Sequence, residues 1–163
     1  MFEQELLDKA THLLEACRQK HLKIATVESC TGGLVAGLLT EIAGSSDVVE
    51  RGFVTYSNEA KSEAVHVPPA VIQVHGAVSK EVACAMAEGG LNHSNAQLCI
   101  ALTGVAGPGG GTAAKPVGLV HLALAQKNKP VQHLECRFTQ QTRSGIRLAA
   151  VARAIDMLQQ AAS

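Results

Sequence analysis

The chain has 163 residues, a length suited to one domain, and 47% of them are apolar, enough for a sizeable core. Fourteen basic and fourteen acidic residues cancel, so no charge excess or basic run points to a polyanion-binding surface. Aromatics at 2% exclude a base-stacking platform for single-stranded nucleic acid, and no apolar run reaches the length of a membrane span.

Residues 3–20 read as an amphipathic helix with Leu6, Leu7, Ala10, Leu13, Leu14 and Cys17 on one face. The apolar run Leu22 to Val27 then reads as a strand. It leads through Glu28-Ser29-Cys30-Thr31-Gly32-Gly33 into a second helix, which Gly44-Ser45-Ser46 ends. Val48 to Tyr56 is strand-like, rich in β-branched and aromatic residues. Ser57 can cap a short helix carrying Lys61 and Ala64. Pro68-Pro69 breaks the pattern, and a short segment with Val71, Ile72 and Val74 ends near Gly76. Ser79 can cap the next helix, through Met86 to about Gly89. Gln97 to Leu102 is a buried strand that runs into the glycine-dense loop Thr103 to Gly111. Val117 to Ala125 and Val131 to Phe138 read as two strands joined by a polar, hairpin-length connection. A helix from about Arg143 to Gln160 closes the chain.

Helix–strand alternation in the first half implies parallel strands, and the hairpin implies an antiparallel part. The expected fold is an α/β three-layer sandwich, with a mixed, mostly parallel sheet and helices on both faces.

A serine in a tight turn after a strand sits where open α/β sheets place their ligands. The N–H groups opening the next helix are expected to point at the same spot and to favour negative charge. Ser29 is thus a candidate hydroxyl nucleophile beside a candidate oxyanion hole. The plainer reading is that Ser29 or Thr31 caps the helix. A serine needs a base. None of the seven histidines (His12, His21, His66, His75, His93, His121, His133) falls at the carboxyl end of a predicted parallel strand; each reads as a surface or packing residue. Lys61 is the better candidate. It follows the strand ending at Tyr56, the only tyrosine, and strand ends in one parallel sheet share an edge. Burial or neighbouring positive charge can lower a lysine to a useful base. The alternative is a solvated helix lysine beside a half-buried tyrosine.

The loop Thr103-Gly104-Val105-Ala106-Gly107-Pro108-Gly109-Gly110-Gly111 lets backbone approach a ligand. It lacks the Gly-Lys-Ser/Thr of a Walker loop and opens no helix. Arg143 and Arg147, one helical turn apart, can hold a phosphate or carboxylate or stay solvated. Five cysteines without a C-x-x-C pair suit reduced thiols in a cytoplasmic protein. No spacing suggests a metal site, and no signal-like segment opens the chain.

Taken in order, these segments resemble the CinA C-terminal domain family, which includes nicotinamide mononucleotide deamidases of the PncC type. The resemblance rests on Glu28-Ser29-Cys30-Thr31-Gly32-Gly33, Gly52-Phe53-Val54-Thr55-Tyr56-Ser57-Asn58 with Lys61, Gly76-Ala77-Val78-Ser79, Thr103 to Gly110, and Lys115-Pro116-Val117-Gly118. It implies a metal-free amidohydrolase that converts nicotinamide mononucleotide and water to nicotinic acid mononucleotide and ammonia, often as a homodimer and without a cofactor. By the same resemblance Ser29 is the nucleophile, Lys61 its base and Tyr56 an assistant. Substrate binding falls to Thr103 and to Arg143 or Arg147. Glu28, Cys30, Thr31, Gly32, Gly33, Gly104 and Gly107 shape the binding site. The family commonly has an acidic residue before the first arginine of the last helix; here it is Thr142. Two other readings stay open: a non-catalytic nucleotide- or phosphate-binding module, and a serine amidase for another small amide.

Overall fold

A computed structural model describes residues 1–139 and 141–163. Its elements are α1 (Gln4–Gln19), β1 (Ile24–Glu28), α2 (Leu34–Glu41), β2 (Val49–Val54), α3 (Asn58–Val65), α4 (Pro69–His75), α5 (Lys80–Asn92), β3 (Leu98–Gly104), β4 (Leu119–Gln126), β5 (Gln132–Arg137) and α6 (Arg143–Ala162). The segment after Pro68 is a true helix. Pro69 opens it, at a position where its missing N–H costs nothing.

The strands form one sheet in the order β2-β1-β3-β4-β5. β1 pairs in parallel with both β2 and β3, while β4 runs antiparallel to β3 and to β5. The sheet is mixed as expected: β1, β2, β3 and β5 run the same way and β4 is reversed, which makes two of the four pairings parallel and two antiparallel.

Side-chain alternation sorts the core into two layers. Ile24, Leu98, Ile100, Leu102, Val120, Leu122 and Leu124 face α1, α2 and α6. Their partners Ala25, Val27, Cys99, Ala101, Ala123 and Ala125 face α3, α4 and α5. The second face is built mostly of small residues, and α5 sits close against it. A Cβ on Gly90 would lie 2.4 Å from Val27 Cγ2, and one on Gly89 would lie 1.8 Å from the Val65 carbonyl oxygen. Ser57, Ser79 and Thr142 cap α3, α5 and α6 by accepting the N–H groups of Ala60, Val82 and Gly145. Thr142, the departure from the family pattern, is thus a working helix cap.

The carboxyl ends of β1 and β2 are level, Glu28 opposite Val54, while β3 runs past Leu102, the partner of Glu28 on the other side, to Gly104. Two further bonds lace these ends together: Ser29 N–H donates to Leu102, and Thr55 N–H to Glu28. Among the described residues no helix is long and apolar enough to cross a membrane.

Candidate active site

Ser29 is the first residue beyond β1. Continuing the alternation of Ala25 and Val27, its side chain emerges on the face that α3 covers. Lys61 sits in the second turn of α3, and long helical side chains point back toward the helix N-terminus. Its Nζ therefore returns to the segment leading into its own helix. It lies 2.8 Å from the Thr55 carbonyl and 3.4 Å from those of Tyr56 and Ser57. The fourth neighbour is Ser29 Oγ, at 3.1 Å.

Lys61 is only 1% exposed, and burial lowers its amine below the usual lysine range. In the neutral form it keeps two N–H bonds for carbonyls and one lone pair for the Ser29 hydroxyl proton. Cys30, the next residue, also lines the cleft, but it packs in the α1–α2–α6 core layer and burial pushes its thiol up to about 11, so Ser29 with its Lys61 partner is the better-equipped nucleophile.

The dyad opens into a cleft of about 310 Å³ whose walls include Tyr56, Ala77, Val78 and the loop from Thr103 through Gly110. Arg143 spans its mouth, donating to the Gly107 carbonyl at 2.6 Å and to the Tyr56 hydroxyl at 3.1 Å. Tyr56 is 61% exposed. Its hydroxyl meets Arg143, while its carbonyl is the part that meets Lys61. Thr103 lines the cleft with its hydroxyl donating to Ala77 O at 2.8 Å, which ties β3 to the opposite wall. Gly104 lets β3 and β4 meet, because a Cβ there would lie 2.7 Å from the Leu119 carbonyl. Gly107 turns the loop at φ +75°, a conformation that suits glycine.

Several residues expected at the substrate sit behind the turn instead. Glu28 is fully buried and, by strand alternation, points to the face opposite Ser29. Its carboxylate accepts the N–H groups of Gly33, Val35 and Ala36. The N–H groups opening α2 are therefore occupied by Glu28 and are not free for a substrate anion. Arg147 does not line the cleft. It reaches the back of the turn, donating to the carbonyls of Cys30 and Thr31 at 3.1 and 3.0 Å. Thr31, Gly32 and Gly33 also lie outside the cleft lining; the two glycines turn the chain at φ +59° and +99°.

Sequence reasoning missed the carbonyls of Thr55 and Ser57 and the wall at Ala77 and Val78. Backbone carbonyls leave no side-chain signature. The Gly76-Ala77-Val78-Ser79 segment, placed between the short segment after Pro68-Pro69 and the helix that Ser79 caps, was the available signal for the wall. His121 and His133 pair across β4 and β5 at 2.9 Å, and burial lowers both. Among the described residues no group of three or more His, Cys, Asp or Glu side chains is placed to hold a metal.

Residues 7–162 match the family model for the CinA C-terminal domain. The chain belongs to the CinA C-terminal domain family. A CinA-like protein of Colwellia psychrerythraea is 54% identical over 123 residues, covering 73% of this chain and 28% of that protein. A CinA-like protein of Syntrophobacter fumaroxidans is 45% identical over 145 residues, covering 88% of this chain and 34% of its own length. The chain thus spans about a third or less of these curated CinA relatives. The crystal structure of competence/damage inducible protein CihA from Agrobacterium tumefaciens superposes with a TM-score of 0.95 at 49% identity, over 97% of this chain and 96% of that one. A CinA superfamily protein from Klebsiella pneumoniae does so at 0.92 and 31% identity, over 98% of both chains.

Proposed function

We propose that this CinA-family chain is a serine amidohydrolase that deamidates nicotinamide mononucleotide. The observation that carries the reading is the buried contact of 3.1 Å between Lys61 Nζ and Ser29 Oγ at the floor of an open cleft. The resemblance supplies the substrate class, and the cleft is compatible with it. Arg143 at the mouth suits a phosphate, since a guanidinium offers paired donors to such oxygens. The glycine-dense loop lets the backbone lie close to a ribose or ring.

Ser29 gives its proton to Lys61 Nζ as Oγ bonds to the carboxamide carbon. The carbonyl oxygen takes the negative charge and is received by N–H donors of the turn. Lys61 returns the proton to the departing nitrogen, the C–N bond breaks and ammonia leaves. Water then attacks the ester, with Lys61 again taking a proton, and releases the carboxylate and free Ser29.

The test is ammonia release from nicotinamide mononucleotide by the wild type, Ser29→Ala and Lys61→Ala, run beside nicotinamide and its riboside. Wild-type release that both variants lose, with strong preference for the phosphorylated compound, supports the assignment. Equal turnover of an unphosphorylated amide moves it to a different small amide. Binding without ammonia moves it to a nucleotide-binding module.

A further inference from the structure

The turn that carries Ser29 is braced from behind by two side chains outside the cleft lining, the buried Glu28 and the half-buried Arg147. Glu28 takes three N–H groups at the start of α2. Arg147 takes two carbonyls in the turn itself, from Nε to Cys30 and from Nη2 to Thr31. Within the turn, Gly32 N–H donates to Ser29 and Leu34 N–H to Thr31. Among the described residues, the N–H groups of Cys30 and Thr31 meet no acceptor on another residue.

A trans peptide is planar, and its N–H points opposite to its C=O. Arg147 extends from α6, on the face of the sheet away from the Ser29 side chain. Drawing the Cys30 carbonyl toward α6 turns the N–H of Thr31 toward the Ser29 side. Drawing the Thr31 carbonyl the same way turns the Gly32 N–H back to Ser29 O, where it is observed.

We infer that Arg147 is a positioning residue whose forked grip on the Cys30 and Thr31 carbonyls holds the turn that presents Ser29 and aims the Thr31 N–H at the Ser29 side. This rests on the reading of Ser29 as a nucleophile but not on the identity of the amide. A lysine ammonium has no planar fork and cannot hold both carbonyls in the same geometry.

The test reads Ser29 reactivity without any amide substrate. A small alkyl fluorophosphonate labels an activated serine: the Oγ–P bond forms, the P–F bond breaks, fluoride leaves and the hydroxyl proton passes to Lys61. The phosphonyl oxygen needs the same N–H donors as the amide oxyanion. Labelling rates at Ser29 are followed by intact mass for the wild type, Arg147→Ala and Arg147→Lys across a pH series. Losing one oxyanion donor costs on the order of a hundredfold. Arg147→Ala should therefore slow labelling about 10- to 100-fold, with the pH midpoint unmoved and partial rescue by added guanidinium. Arg147→Lys, which retains the charge, should slow it about fivefold or more. Labelling of both variants within twofold of wild type overturns the inference, as does a shifted pH midpoint, which would place the effect on Lys61. If only Arg147→Lys folds, its rate decides. A wild type labelled at Ser29 that releases no ammonia from the nucleotide overturns the substrate assignment alone, and the variant rates still decide the role of Arg147. A wild type that is not labelled overturns both.

Discussion

Lys61 Nζ bridges Ser29 Oγ at 3.1 Å and the Thr55 carbonyl at 2.8 Å. The base is thus anchored to the chain end of β2 while it faces the chain end of β1. Its freedom is small, and its protonation state decides whether it can accept the Ser29 proton.

Lys61→Arg is expected to be as inactive as Lys61→Ala, with ammonia release down about a thousandfold or more. Arginine stays charged at any working pH and has no lone pair to offer. A Lys61→Arg enzyme retaining a tenth of wild-type kcat would remove lysine from the base role.

The rate should depend on pH through Lys61. Burial lowers its folded value, so kcat/KM should rise with pH to a plateau whose midpoint lies below the ordinary lysine value of about 10.4. The sign for stability follows. Between the lowered folded value and about 10.4, the unfolded chain binds the proton and the folded chain does not, so stability rises with pH across that window. Lys61→Met lacks this contribution. Denaturant midpoints at pH 7, 9 and 10.5 should show wild type gaining on Lys61→Met as pH rises. A constant difference between the two proteins would contradict the lowered value.

Tyr56→Phe separates two roles of one residue. The carbonyl that meets Lys61 survives the change, while the hydroxyl that meets Arg143 is lost. KM for the mononucleotide should rise severalfold with kcat within about threefold. A kcat loss of a hundredfold at unchanged KM would instead put the hydroxyl in proton transfer.

Glu28→Gln should destabilise the fold. One amide oxygen replaces a carboxylate that accepts three N–H groups, and its NH₂ faces donors. The cost should be about 1–3 kcal/mol, or several degrees in Tm for a domain of this size. Thermal melts give the value, and an unchanged Tm would deny Glu28 its capping role.

Two glycines should respond in opposite directions. Gly89→Ala drives a Cβ to 1.8 Å from the Val65 carbonyl oxygen, and backbone cannot yield as a side chain tip can. A loss of about 2 kcal/mol or more is expected. Gly37→Ala meets nothing within 4 Å in the interior of α2 and should gain about 0.5–1 kcal/mol from helix propensity. Urea unfolding of both variants checks the pair.

Much of this was legible in the residues because its causes are local. Apolar spacing of 3–4 residues marked α1 and α6, continuous apolar runs and β-branched residues marked the strands, and Ser57, Ser79 and a glycine pair announced where helices start and chains turn. Even the grouping of Ser29, Tyr56 and Lys61 followed from parallel strands sharing an edge. The roles of the charged side chains did not follow, because they depend on which face each meets. Glu28 and Ser29 are adjacent in sequence, yet strand pleating sends one into a helix cap and the other into the cleft. Arg143 and Arg147 share a helix face, but four residues advance α6 by about 6 Å. That rise separates a guanidinium over the cleft mouth from one behind the nucleophile turn. Sequence alone determined the elements and the reactive residue types; tertiary packing decided which polar group each side chain meets, because those partners lie on other elements.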